Sequence, residues 1–217
     1  MITLHSNDNT MKNILKTTIL AAMAAMALAS CEKYGVSDRK GDTSIHRYQD
    51  GQQVETFQIA LIDDPDNEFV PYEDSGCLLI FLGDNEQTRK ELGWIHDNEK
   101  HGEANKLGEK ELLDNIQDVW GVKIYWTMPG KTAKEIQDLL LPYVPDAKIF
   151  LDNASKSKKW LYTRFFTLEN CVPSNVLLTK HGKIFDTSGN HLILDGIYFP
   201  DDSRYENTWN KWQLANR

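Results

Sequence analysis

Cys171-Val172-Pro173-Ser174-Asn175-Val176-Leu177-Leu178-Thr179-Lys180-His181-Gly182-Lys183-Ile184-Phe185 is the stretch whose reading decides the fold. An apolar run follows Pro173, a Lys-His-Gly-Lys turn interrupts it, and a second β-type run begins at Ile184. Gly182 can take the positive φ that a tight hairpin needs, so the stretch predicts two adjacent antiparallel strands. Pro173 at the start of the first strand keeps its missing N–H out of the ladder.

Working outward, Cys77 to Leu82 is a continuous apolar run bounded by Gly76 and Gly83. Such a run fits a strand buried on both faces. Asp84 and Asn85 can cap a helix from Glu86 to about Ile95. Glu109 to Trp120 reads as an amphipathic helix with Leu112, Leu113, Ile116, Val119 and Trp120 on one face, ended by Gly121. Val122 to Trp126 is the next strand, and Thr132-Ala133-Lys134-Glu135 is a capping box that opens a helix running to Pro142. Ala147 to Leu151 reads as a short strand, and Ser155 opens a further helix with Trp160, Leu161 and Phe165 inward. Before all of these, Phe57, Ile59 and Leu61 alternate with polar neighbours. The turn chemistry of Asp63-Asp64-Pro65-Asp66-Asn67 and the pair Phe69-Val70 complete a hairpin over Val54 to Pro71. Strands alternating with helices and ending in a hairpin predict an α/β domain with a mixed sheet.

The Val-Pro, strand, Lys-x-Gly-Lys-Ile pattern resembles the late hairpin of the thioredoxin fold in TlpA-like and peroxiredoxin-like (AhpC-TSA) proteins. The likeness extends over most of the chain after about residue 55. It implies a cis peptide between Val172 and Pro173, lying against an active-site turn, and an N-terminal β-hairpin extension. In redox-active members a Phe-led strand runs into Cys-x-x-Cys at a helix start, where the helix end lowers the first thiol's pKa. Counting from Phe81, the corresponding turn here is Gly83-Asp84-Asn85-Glu86-Gln87-Thr88-Arg89, with Glu86 and Arg89 at the two cysteine positions. Neither side chain can perform thiol–disulfide exchange, which requires a thiolate to attack a sulfur. A peroxidatic thiol is missing from the turn as well. The resemblance therefore implies a redox-inactive, non-catalytic binding or scaffolding module. Its recognition surface would be Asp84 to Arg89 with the Val172-Pro173 loop. Glu86 in a first turn is favoured by the helix dipole whatever its function, and Arg89 is expected to pair with it at i,i+3.

Cys171, two residues before Pro173, is the candidate thiol for a second reading, a thiol–disulfide redox protein. The plainer account is a small, buried, inert cysteine. Cys77 begins its strand and Cys171 precedes the antiparallel neighbour, so the two are expected at opposite ends of the sheet, too far apart for a disulfide. His96 and His101, with Asp97, Glu99 and Glu103, lack a metal-ligand framework and read as a solvated loop. No metal or other cofactor is expected. A third reading assigns glycan or protein binding to exposed aromatics of the C-terminal tail, which holds Tyr198, Phe199, Trp209 and Trp212.

The ends of the chain supply an address. Of 217 residues, 41% are hydrophobic and 26% charged, ordinary for one globular domain with a sizeable core. The net charge of −8 disfavours nucleic-acid binding, which needs clustered Lys and Arg. Met11-Lys12-Asn13-Ile14-Leu15-Lys16 and the apolar run Thr17 to Ala29 read as a secretory signal with Met11 as the start. Leu28-Ala29-Ser30-Cys31 resembles a bacterial lipobox, which implies lipidation of Cys31 and a membrane anchor. The expected organisation is leader 1–30, flexible tether 31–53, thioredoxin-like domain 54–191 with an insertion at about 96–108, and extension 192–217 packed on the domain. The expected location is the cell envelope, with an envelope protein or peptide as partner.

Overall fold

The computed structural model describes residues 47–100, 107–152, 161–167, 172–189, 191–192 and 205–217. The leader, Cys31, most of the tether and Cys171 lie outside the described residues, as do Ser155, Trp160, His101, Glu103, Tyr198 and Phe199.

The elements follow the expected order. A first hairpin joins β1 (Ile59–Leu61) to β2 (Asp64–Phe69), and β3 (Cys77–Phe81) leads into α1 (Glu86–Asp97). Next come α2 (Glu109–Asp118), β4 (Lys123–Thr127), α3 (Ala133–Leu140) and the single turn α4 (Tyr162–Phe165). The closing hairpin, β5 (Ser174–Leu178) with β6 (Ile184–Gly189), precedes the C-terminal helix α5 (Tyr205–Ala215). The main sheet has the order β4-β3-β5-β6. β3 and β4 are parallel, while β5 runs antiparallel to both β3 and β6. This is the expected mixed α/β arrangement, and Gly182 takes a φ of +71° in the closing turn.

Two expectations are corrected. The Asp64-Pro65-Asp66-Asn67 run is not the turn of the first hairpin but most of β2, an exposed strand paired only to β1. Proline is tolerated at a sheet edge, where its missing N–H leaves no ladder bond unmade. Ala147 to Leu151 forms no full strand. It makes isolated bridges, Ile149 to Trp126 and Phe150 to Leu61, and so links the first hairpin to β4.

All five β3 residues are buried, as a strand covered on both faces requires. One face packs on α1, α2 and α3 through Leu78, Ile80, Leu92, Ile116 and Ile136. On the other, Phe81 meets Tyr162, Phe165 and Phe166. The tail is part of the core: Trp212 is buried, its ring lies 5.5 Å from Trp120, and its indole N–H donates to the Trp120 carbonyl at 3.3 Å. Trp209 packs 5.6 Å from the same ring. Trp212 is therefore no part of an exposed aromatic face, while Trp209 is half-buried beside it. No helix among the described residues is long and apolar enough to cross a membrane.

Candidate functional site

Phe81 ends β3, and the chain turns through Gly83 and Asp84 into α1. Asn85 caps the helix from an extended backbone, its Oδ1 accepting from the Thr88 N–H at 2.8 Å. The same side chain reaches across the fold, its Nδ2 donating to the Val172 carbonyl at 2.8 Å. Thr88 is fully buried, and its hydroxyl oxygen accepts from the Gly83 N–H at 3.2 Å. Gly83 is required by closeness: a Cβ there would stand 2.4 Å from Val172 Cγ2. The turn and the proline loop are thus one packed unit.

The Val172–Pro173 peptide is cis, as the resemblance implies. Just beyond it, Ser174 Oγ and Asn175 Oδ1 are buried and find no hydrogen-bond partner among the described residues. Asn175 Nδ2 donates to the His191 carbonyl at 2.9 Å.

Glu86 stands exposed in the first turn of α1, and Arg89 is exposed one turn on. The expected Glu86–Arg89 pair does not form. Arg89 Nη2 instead pairs with Asp84 Oδ1, because the turn folds Asp84 back beside the helix. Neither position carries a thiol. Cys77 lies at the opposite end of β3, across from Leu178, while Phe81 faces Ser174. Burial pushes its thiol well above the usual range, which leaves it inert. Cys171 lies outside the described residues, so its expected separation from Cys77 stays an expectation.

Beside the turn a cleft of about 430 Å³ is lined by Asp84, Arg89, Met128, Lys131, Glu135 and Tyr143, among others. Its charges are paired: Lys131 Nζ lies 2.9 Å from Glu135 Oε1. Hydrogen bonds from Thr132, with Lys131, hold the Glu135 carboxyl down at about 2.

Sequence reading missed a buried acid behind the turn. Glu91, on the inner face of α1, accepts from the Leu192 N–H at 2.6 Å and from Gln87 Nε2 at 2.5 Å, with His191 Nδ1 at 3.3 Å. The available signal was its spacing: Glu91 shares a helical face with Thr88, Leu92 and Ile95, all buried. Among the described residues no group of acids, histidines and cysteines is placed to hold a metal.

No protein-family model and no curated protein matches the sequence. Among solved structures, one described as a protein disulfide isomerase from Bacteroides thetaiotaomicron is similar at 12% identity and a TM-score of 0.52. The overlap covers 81% of this chain and 94% of that one. The thioredoxin domain of a thiol-disulfide oxidoreductase from Bacteroides vulgatus overlaps 78% of this chain and 99% of its own, at 13% identity and a TM-score of 0.46. A thiol:disulfide interchange protein from Bacteroides sp. overlaps 77% and 90%, at 12% identity and a TM-score of 0.44. At such identity the first overlap speaks for architecture alone: the chain has a thioredoxin-like fold.

Proposed function

We propose that the protein is a thioredoxin-like binding or scaffolding module of the bacterial cell envelope, without dithiol chemistry. The supporting observation is the start of α1. Glu86 and Arg89 stand where the resemblance puts the two thiols, and Asn85 holds the Val172 carbonyl from within. In redox relatives the backbone of these loops pairs with an extended peptide, a form of strand addition. Here that carbonyl is engaged, so recognition falls to side chains around the neighbouring cleft, Asp84, Arg89, Lys131 and Glu135. Such a surface suits a polar protein or peptide partner. The Leu28-Ala29-Ser30-Cys31 motif supports an acyl anchor at Cys31 that would keep the domain at a membrane.

A second reading rests on Cys171. The resemblance puts Cys171, two residues before Pro173, beside the turn in which relatives carry out exchange, and the next residue, Val172, is hydrogen-bonded to that turn. The two readings differ in the state of that thiol. Alkylation of the native chain carrying Cys31→Ser and Cys77→Ser across pH follows Cys171 alone. Protection, or an ordinary midpoint near 8.5, agrees with the binding module, whereas a midpoint depressed by a unit or more overturns it in favour of redox chemistry.

A further inference from the structure

A second cavity, of about 640 Å³, lies between the first hairpin and the chain that follows β4. Its size falls within the range of small-molecule pockets. Phe57, Ile59, Leu61, Phe150 and Leu161 give it an apolar lining, and Arg164 contributes a cation. It opens at the carboxyl end of β4: the Asp152 N–H donates to Thr127 Oγ1 at 3.2 Å, and Thr127 is the last residue of that strand. Ligands of open α/β sheets bind at the carboxyl ends of strands. None of the residues lining this cavity belongs to the Gly83–Arg89 turn.

The charges in the cavity are unequal in their commitments. Asp152 is buried and already satisfied, Oδ1 accepting from the Leu161 N–H at 2.5 Å and Oδ2 from the Tyr162 N–H at 2.9 Å. Glu68 lines the rim from the solvent-exposed β2. Arg164 is half-buried and its charge favours the ionised form of Asp152 beside it, yet its guanidinium donates no hydrogen bond to any described residue. A guanidinium presents five donors in a planar fork suited to a carboxylate. Asp152 spends both oxygens on backbone N–H groups, so the donors of Arg164 remain open to a second carboxylate at the cavity wall.

We propose that this cavity binds a small amphiphilic monocarboxylate, with its apolar chain against Phe57, Ile59 and Leu161 and its carboxylate on Arg164. The test is calorimetric titration of the full chain with octanoate, 1-octanol and octylammonium. Octanoate is expected to saturate one site and to bind about tenfold more tightly than octanol, the difference being the charge-assisted pair. Arg164→Gln should weaken octanoate by about the same factor and leave octanol unchanged, while Arg164→Lys should keep part of the preference. The thermal midpoint of Arg164→Lys should match the wild type, since it keeps the positive charge beside Asp152, and that of Arg164→Gln should fall slightly with the loss of that charge. Equal affinity for octanoate and octanol, no saturable binding of octanoate, or an Arg164→Gln chain that binds octanoate as tightly as the wild type would each overturn the proposal.

Discussion

Asn85 joins two parts of the chain that are 87 residues apart: its Nδ2 donates to the Val172 carbonyl at 2.8 Å while its Oδ1 caps α1. One side chain thereby fixes the helix start against the proline loop. Replacing it by Ala removes both bonds, and the expected destabilisation is about 2 kcal/mol, roughly half from the cap and half from the cross-fold bond. Asn85→Ser keeps a capping oxygen and loses only the second bond, for about 1 kcal/mol. Denaturant unfolding of the two variants separates the contributions.

Gly83 is the steric counterpart of that bond. A methyl group there would come 2.4 Å from Val172 Cγ2 and 2.7 Å from Asn85 Nδ2, so something must move. Gly83→Ala should cost about 1–3 kcal/mol through overpacking. Val172→Ala in the same chain should return part of the loss. A double-mutant cycle reads the coupling directly, and simple additivity would show that the two residues do not share the space.

The C-terminal helix is held by Trp212. Its ring is buried against Trp120 and also fills the space over Gly76, where an added Cβ would lie 2.8 Å from the indole. Trp212→Ala should lower stability by about 3–5 kcal/mol, measured by unfolding at constant m-value.

Much of this architecture was legible because its causes are local. Gly182 marks the closing turn, Asn85 the cap and Thr132 with Glu135 the capping box, each within a few residues of what it controls. The apolar run from Cys77 betrayed the central strand for the same reason. The first hairpin misled because Asp64-Pro65-Asp66-Asn67 has turn composition yet forms an exposed edge strand, where neither proline nor acids conflict with burial. In the candidate site the helix-start residues were legible, whereas their partners were not. Arg89 turns to Asp84 rather than Glu86, Asn85 to Val172, and Glu91 to Leu192. The last two bonds cross the fold, and no periodicity announces them.

Glu135 offers a pH signature. Hydrogen bonds from the Thr132 backbone and hydroxyl, with Lys131 between them in strength, depress its carboxyl to about 2 from an ordinary 4.5. A carboxylate depressed on folding contributes stability that is present above its unfolded value and lost as pH falls through the folded one. The contribution should therefore fade between about pH 4.5 and pH 2. By NMR titration the Glu135 midpoint should lie near 2 and rise part of the way towards 4.5 in Thr132→Ala, which keeps the backbone donor. An unchanged midpoint would show that the hydroxyl plays no part.

The loss of dithiol chemistry is the central claim, and reduction of insulin disulfides by the full chain tests it most directly. The wild type and Cys171→Ser should both remain at the uncatalysed rate. The variant carrying Glu86→Cys and Arg89→Cys should gain turnover, since it restores two thiols to a helix start that can stabilise a thiolate. Wild-type turnover that disappears in Cys171→Ser would contradict the account and make this a redox protein working through one cysteine.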